Sequence, residues 1–510
     1  MSGIVEEGQI FRWRRHQLHI APEGLVWTEG KPFSPQADVR GTARYEEVQA
    51  VEIDGGGRSV TFRLYFSDGK PPWAWAKVPA SEAEWAADMI RGHLTLGGWA
   101  QLPSFQQAVP FAVAKQDAHS IVDSAHRQVV DLLDLIILQA VYHRATDVHL
   151  EPFKNRMEVR YRIDGTLHHA FDVPAGVYPR LLTRLKVVAK LTVYQKDAPQ
   201  EGRIVAQVDD RSVDLRVTLL PTLHGERTTI RLFDPANGPR ALNELGMLPD
   251  MQQQFERLLS RPQGTILFTG PANSGKTTTM YAALKHLHQT QQSLISIATV
   301  EDPIEYDLQL INQTQINPVS GLTFAAGLRT VLRQDPEVIM IGEIRDAETA
   351  EIAVRAGLTG HLILSTVHAR SAPAVFVRLI EMGIEPFLVA SSVTAIVAQR
   401  LVRVVCPECR TSYQPDPATL NLLHAPREEI SFQRGAGCER CDGAGYRGRT
   451  GVFQLLTVDD TLRELALRKA SVPAFEQTVA DHRAPTLLHD GWAKVKAGIT
   501  TVEELERVGV

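Results

Sequence analysis

Residues Thr265–Thr277 read TILFTGPANSGKT. The first half is a short run of apolar and β-branched residues that stops at glycine, the pattern of a strand buried on both faces. The second half, Gly270–Thr277, matches G-x-x-x-x-G-K-[ST], and TTMYAALKHLH after it carries helical spacing. Strand, glycine loop and helix together make a phosphate cradle. Backbone N–H groups of Gly270, Ala272, Asn273, Ser274 and Gly275 curl around the anion, with Pro271, which has none, standing among them, and the N-terminus of the helix adds a favourable dipole. Lys276 then reaches the β- and γ-phosphates, Thr277 offers a hydroxyl to Mg²⁺, and Thr278 lies in the same turn. Asn273 occupies a loop position where glycine is frequent, and asparagine is among the residues that best tolerate positive φ. The expectation is a nucleotide-binding α/β unit that starts near Thr265.

Downstream, Glu337–Asp346 reads EVIMIGEIRD. It has the look of a buried strand, but the acid comes late. A nucleotide-hydrolysing strand would finish on Asp, whereas here that place is Gly342 and the carboxylate is Glu343.

Composition limits the rest. The 510 residues suit roughly three domains at about 150 residues each. Hydrophobic residues at 44% and charged residues at 22% are globular values. The net charge of −5 argues against a surface that coats nucleic acid. No basic-then-apolar leader opens the chain, and the most apolar long window, Pro386–Val402, contains Ser, Thr, Gln and Arg. The chain is therefore expected in the cytoplasm, with only peripheral membrane contact. All four cysteines fall in Cys406–Cys441 as two C-x-x-C pairs, Cys406/Cys409 and Cys438/Cys441, with 28 residues between them. Two such pairs can supply four thiolates to one closed, tetrahedral Zn²⁺, a structural rather than a catalytic site.

The chain divides into segments of different pattern. Residues 1–103 alternate short strands and turns, then close with SEAEWAADMIRGHL at helical spacing. A strand meander followed by one helix is similar to a pleckstrin-homology-like barrel. Residues 104–118 read as a linker. Residues 119–234 form an α+β domain that opens on one long helical pattern from Ile121, with Asp164-Gly165 as a hairpin signal. Residues 235–243 read as a second linker, and 244–510 as the nucleotide-binding domain, with a zinc subdomain at 401–452 and C-terminal helices at 453–510.

Four further stretches complete a pattern: ATVEDPIEY (Ala298–Tyr306), GLRTVLRQDPEVIMIGEIRD (Gly327–Asp346), AGLTGHLILSTVHA (Ala356–Ala369) and AQRLVRVVCPEC (Ala398–Cys409). Together with the phosphate loop, in this order, they resemble the secretion ATPases of type II secretion and type IV pilus assembly, the general secretion pathway protein E-like family. There the four stretches are the aspartate box, the Walker B strand, the histidine box and the zinc motif. The resemblance covers residues 121–510 and implies a multidomain α/β protein with a RecA-like P-loop core. It also explains the late acid, because the family's Walker B strand ends Gly-Glu. Glu343 is then expected to hold a magnesium-bound water or to orient the attacking water, and Glu301 to stand with Asp302 and Glu305 beside the phosphates. His361 and His368 are expected to bond around the γ-phosphate. They lie seven residues apart, so strand alternation alone puts them on opposite faces.

Arg329 and Arg333 are spaced for one helix face. The resemblance implies that arginines of 119–234, with Arg203, Arg216, Arg227 and Arg231 as candidates, close over the nucleotide. It implies ATP, Mg²⁺ and Zn²⁺ as cofactors and a homohexamer working with inner-membrane platform proteins of a secretion or pilus system. Type II secretion is favoured over pilus assembly by the wording EMGIEPFLVASSVTAIVAQRLVRVVCPEC and YRGRTG. The competing class, a nucleic-acid motor, lacks an aromatic–basic stripe to support it. One departure from the family is Gln454, where members commonly carry Glu.

Overall fold

The structure, a computed structural model, describes residues 9–80 in stretches separated by short gaps, residues 83, 86 and 87, and residues 106–510 except 124–127, 239, 292–293, 424–429 and 483. Two compact units result, Met1–Asp234 and Pro235–Val510.

The first unit begins with an antiparallel four-stranded sheet, β1 (Gln9–Trp13), β2 (His16–Ala21), β3 (Gly24–Glu29) and β4 (Asp38–Ala43). A three-stranded sheet follows, β5 (Val48–Asp54), β6 (Ser59–Phe66) and β7 (Trp73–Pro79). Strand β6 reads SVTFRLYF, and its alternation turns Val60, Phe62, Leu64 and Phe66 inward. They share a core with Leu18, Leu25 and Trp75, in which the Trp27 and Trp75 rings meet edge-on at 5.4 Å. Of the expected closing helix, only Ala83, Ala86 and Ala87 are described. They are helical, spaced one turn apart and fully buried.

The stretch 104–118, read from sequence as a linker, is helical from Phe111. Helix α1 (Phe111–Asp123) buries Ala114, Ala118 and Ile121, a thin alanine stripe that polar neighbours hide in the sequence. The single long helix expected from Ile121 is instead the end of α1 and a separate α2 (Gln128–Tyr142). Strands β8 (Asp147–Pro152), β9 (Arg156–Ile163) and β10 (Thr166–Pro174) come next, then helix α3 (Tyr178–Val188), then β11 (Gln200–Val208), β12 (Arg211–Thr222) and β13 (Gly225–Phe233). The six strands form one antiparallel sheet in the order β10-β9-β8-β13-β12-β11. Asp164 (φ 49°) and Gly165 (φ 85°) make the tight turn between β9 and β10 that the sequence signalled. One face of the sheet packs Val148, Tyr161, Leu215 and Ile230 against Leu132, Ile136, Leu181 and Leu185 of the helices. The opposite face is polar.

The second unit is a parallel sheet with helices on both sides. Helix α4 (Pro249–Leu259) precedes β14 (Gly264–Thr269), which leads into α5 (Lys276–Thr290). Then come β15 (Ile297–Glu301), β16 (Asn312–Gln315), α6 (Phe324–Val331), β17 (Val338–Ile341), α7 (Ala347–Ala356) and β18 (Leu362–Thr366). Helices α8 (Ala374–Glu381) and α9 (Pro386–Ser392) lead to the long β19 (Val393–Val405). After it lie the short β20 (Arg410–Ser412), α10 (Pro417–Leu422) and β21 (Gln433–Gly435), then β22 (Tyr446–Thr457) and four closing helices between Asp460 and Arg507. The sheet order is β16-β15-β17-β18-β14-β19-β22, parallel throughout except for β22. Every residue of β14 is buried. Ile266 and Phe268 enter a core with α4 and α5, and Leu267 enters a second core with α6 to α9. A strand covered on both faces has no use for polar alternation, which is why Ile266, Leu267 and Phe268 follow one another without a polar residue between them.

Candidate nucleotide site and cysteine cluster

In an open parallel sheet, ligands lie beyond the carboxyl ends of the strands. The loop after β14, Glu301 at the end of β15, Glu343 two residues past β17 and His368 two residues past β18 all lie at that edge. The phosphate loop needs backbone that side chains would forbid. Gly270 has φ 148° and Gly275 φ 88°. A Cβ on either would come within 2.4 Å of Gln399 O or 2.7 Å of Gln399 Nε2. Asn273 adopts φ 59°, the left-handed conformation its chemistry tolerates. Pro271, Ala272 and Asn273 are exposed, while Ser274 is buried and its Oγ has no hydrogen-bond partner. A tight glycine cradle with an orphaned hydroxyl beneath it fits a bound phosphate.

Lys276 donates to Gly270 O (2.9 Å) and Pro271 O (2.8 Å), bonds that place its ammonium over the loop. Burial, then the positive charge of Arg400, pushes its pKa below the ordinary lysine value, against the pull of Glu343. Thr277 and Thr278 stand half-buried in the first turn of α5. Glu343, mostly buried, is bracketed by Arg345, whose guanidinium is 2.5 Å from one carboxylate oxygen, and by His368, whose Nε2 is 3.7 Å from the other. The loop that carries His368 is fastened to the end of β14, since Thr269 Oγ1 donates to Ala369 O and accepts from Ala369 N.

Glu301 is also at this edge but is fully engaged. Thr299 Oγ1 (2.5 Å) and Gln313 Nε2 (3.0 Å) donate to one oxygen, and the Tyr281 hydroxyl donates to the other. His361 lies elsewhere. It precedes β18, and its Nδ1 faces Ala356 O at 3.2 Å. The five strand residues at about 3.3 Å each separate it from the phosphate edge by about 17 Å. Of the two histidines expected around a γ-phosphate, this chain's own loop is therefore approached by His368 alone. Arg329 pairs with Glu348, whereas Arg333 falls beyond the end of α6 and is exposed.

Two residues at the loop were not singled out from the sequence. Gln399 and Arg400 on β19 form its floor: Thr279 Oγ1 donates to Gln399 Oε1 (2.9 Å), and Arg400 Nη1 donates to Gln399 O (3.1 Å). The only signal was their place in the AQRLVR stretch, some 125 residues from the loop. Only the pairing of β14 with β19 brings them under it.

On the polar face of the six-stranded sheet, register aligns the candidate arginines. Arg203 faces Arg216, which faces Arg231, which faces Asp147, which faces Arg162. Each is held. Arg203 pairs with Asp214 (2.6 Å) and Arg231 with Asp147 (3.1 Å), while Arg216 lies over the Phe233 ring at 4.5 Å. Arg227 lies off this row and pairs with Glu151 (2.6 Å).

The four cysteines converge, with every Sγ within 4.8 Å of the others. The separations Cys406–Cys438 (3.9 Å), Cys409–Cys441 (3.9 Å) and Cys438–Cys441 (3.7 Å) match the roughly 3.8 Å edge of a tetrahedron with Zn–S bonds of about 2.3 Å. Backbone amides of Gly437, Cys438 and Gly445 donate to the sulfurs, as suits thiolates.

Comparison with known proteins shows the family. The profile of the family described as "Type II/IV secretion system protein" matches residues 123–507. The type II secretion system ATPase E of Vibrio cholerae is 44% identical over 381 residues, covering 74% of this chain and 75% of that one. The chain belongs to this family. It is a secretion ATPase, and the type II secretion system protein E of Pseudomonas aeruginosa is another relative, 44% identical over 81% of both chains. The type IV pilus assembly ATPase PilB of Thermus thermophilus is 38% identical over 80% of this chain but 46% of its own length. Among solved structures, the ATPase DotB of Legionella pneumophila shares the fold, with TM-score 0.57 and 19% identity over 74% of this chain and 95% of its own. The pilus retraction motor PilT does so with TM-score 0.50 and 22% identity over 74% and 96%. Among the described residues of this secretion ATPase, no helix is long and apolar enough to cross a membrane.

Proposed function

We propose that the chain is the ATP-hydrolysing motor of a type II secretion system, working at the cytoplasmic face of the inner membrane to drive assembly of a pseudopilus. The observation that carries this is the match in length as well as identity: the type II relatives align over 75% and 81% of their own chains, and PilB over 46%. Type IV pilus assembly is the second reading, supported by the same PilB match at 38% identity.

In this reading the Gly270–Gly275 loop holds the phosphates and Lys276 exchanges its two loop carbonyls for the β- and γ-phosphate oxygens. Thr277 ligates Mg²⁺, which supplies charge neutralisation between the phosphates when bound. Glu343 orients the attacking water, and His368 senses the γ-phosphate through it. The arginine row Arg203, Arg216 and Arg231, with Arg227 beside it, supplies positive charge over the nucleotide. An arginine finger is worth roughly 10³–10⁵ in rate. Arg203 is the most exposed of the four. The four cysteines hold a structural Zn²⁺. The chain works as a homohexamer with inner-membrane platform proteins and attaches to the membrane through them. Residues 1–103 form a pleckstrin-homology-like docking domain, a reading supported by the four- and three-stranded antiparallel sheets followed by buried helical alanines.

Expression in a bacterium lacking its own type II secretion ATPase tests the assignment. Restored export of a type II substrate is expected from the wild-type chain and none from Lys276→Ala. Restoration of pilus extension in a PilB-deficient strain, without restored secretion, would transfer the assignment to the second reading.

A further inference from the structure

The aspartate-box acid Glu301 is 2% exposed, and all its visible bonding is to neutral donors. Those donors come from three segments. Thr299 lies on the same strand, Gln313 on β16, and Tyr281 on the helix that begins at the phosphate loop. Tyr281 is 1% exposed and stands four residues, one helical turn, after Thr277. Its oxygen also accepts from the backbone N–H of Glu305 at 3.3 Å. Gln313 fastens the far end of the same loop, donating to Tyr306 O (3.1 Å) and accepting from Leu308 N (2.8 Å). Burial, reinforced by the Glu301 charge, raises the pKa of the Tyr281 phenol, so it remains a donor at neutral pH.

We infer that Tyr281 is a positioning residue for hydrolysis, its hydroxyl tying the phosphate-loop helix to Glu301 and to the acidic loop Asp302–Glu305. A buried carboxylate must be met by donors, and hydrogen bonds to a charged group are the strong ones. The phenol is the one donor among these that moves with α5. A shift of that helix on phosphate binding therefore carries the acidic loop with it, and Glu301 acts as the knot rather than as a free base. Its family neighbours Asp302 and Glu305 are placed by this knot, and Arg345 lies within the field of Asp302. The inference rests on the phosphate loop being the hydrolytic site.

The test uses the full-length chain and steady-state ATP hydrolysis. Wild-type turnover abolished by Lys276→Ala establishes the site independently of Tyr281. Tyr281→Phe keeps the ring and its packing and removes only the hydroxyl. It is expected to lower kcat about tenfold or more with KM for ATP changed less than about threefold, the signature of an interaction needed beyond ground-state binding. Glu301→Gln should behave alike, and the double variant should be about as slow as the slower single, because both cut one connection. Gln313→Ala, at the half-buried edge strand, serves if Tyr281→Phe does not fold, and is expected to show the same loss of kcat at preserved KM. Wild-type kcat in Tyr281→Phe, a raised KM at unchanged kcat, or losses that multiply in the double variant would each overturn the inference while leaving the Lys276 control intact.

Discussion

Glu343 is held between the guanidinium of Arg345 and the imidazole of His368, with Lys276 close enough to feel its charge. Glu343→Gln keeps the shape and removes the charge. Nucleotide binding, which rests on the loop amides and Lys276, is expected to persist, while hydrolysis falls by about 10²–10⁴-fold, the usual contribution of a positioned acid or base. Trapping of labelled ATP alongside phosphate release measures both. Wild-type turnover in this variant would remove Glu343 from the chemistry. At this scale the sequence was legible where a residue's own conformational chemistry decides its role, as at Asn273, Gly270 and Gly275. It was less so for Glu301, since an acid in an acidic motif looks available until its three donors are seen. The same holds for His361. Its spacing to His368 gives facing but not which end of a strand meets the phosphates.

Strand β19 has two kinds of surroundings along its length. Its first half pairs with β14 inside the sheet and carries Gln399 and Arg400 at the phosphate loop. On its other side β22 pairs with it from Ala395 to Val405, and its second half, beyond β14, ends against Cys406. Among its described residues, the segment between the two C-x-x-C pairs has short elements, β20, α10 and β21, and its apolar residues pack with Trp492, Val495 and Leu505 of the closing helices, so a metal held by the four thiols would help to close it. One zinc per chain is expected from metal analysis of reduced protein. Chelation should raise amide exchange in β20, β21 and the Cys438–Tyr446 loop, while β14, buried on both faces, stays protected. Zinc-free protein with unchanged exchange would reject the cluster as a metal site. The C-x-x-C spacing was sufficient to single out these four thiols, because two such pairs can supply four ligands to one metal. The helix α1 was missed for the opposite reason, since Ala114 and Ala118 give too weak an apolar signal to outvote Lys115, Gln116 and Asp117.

At the scale of the whole molecule, the arginine row lies in one compact unit and the phosphate loop in the other. If hydrolysis requires arginines brought over the nucleotide in a ring, turnover per chain should rise with protein concentration as rings form and then level off. Concentration-independent turnover by a chain that sedimentation shows to be a monomer would exclude the ring. Removing residues 1–103 should spare basal turnover, because the loop, Glu343 and the cysteines all lie in the second unit, yet abolish membrane recruitment and secretion. Membrane fractionation of the truncated chain reads this directly, and normal recruitment would end the docking role.

By itself the sequence determined the phosphate loop, the order of acidic and histidine motifs and the two cysteine pairs. Each of these depends on neighbours within a few residues, where backbone conformation and ligand spacing act locally. The tertiary structure alone decided which of those groups meet. Parallel pairing of β14 with β18 and β19 brings Gln399, Arg400 and His368 to the loop and leaves His361 at the far edge. Antiparallel register sets Arg203, Arg216 and Arg231 in one row and leaves Arg227 off it. The packing of α5 against β15 turns Tyr281, an ordinary core aromatic by its spacing, into a partner of Glu301. The reason is that strand register and helix packing are fixed by burial summed over whole faces, a quantity no short stretch of sequence contains.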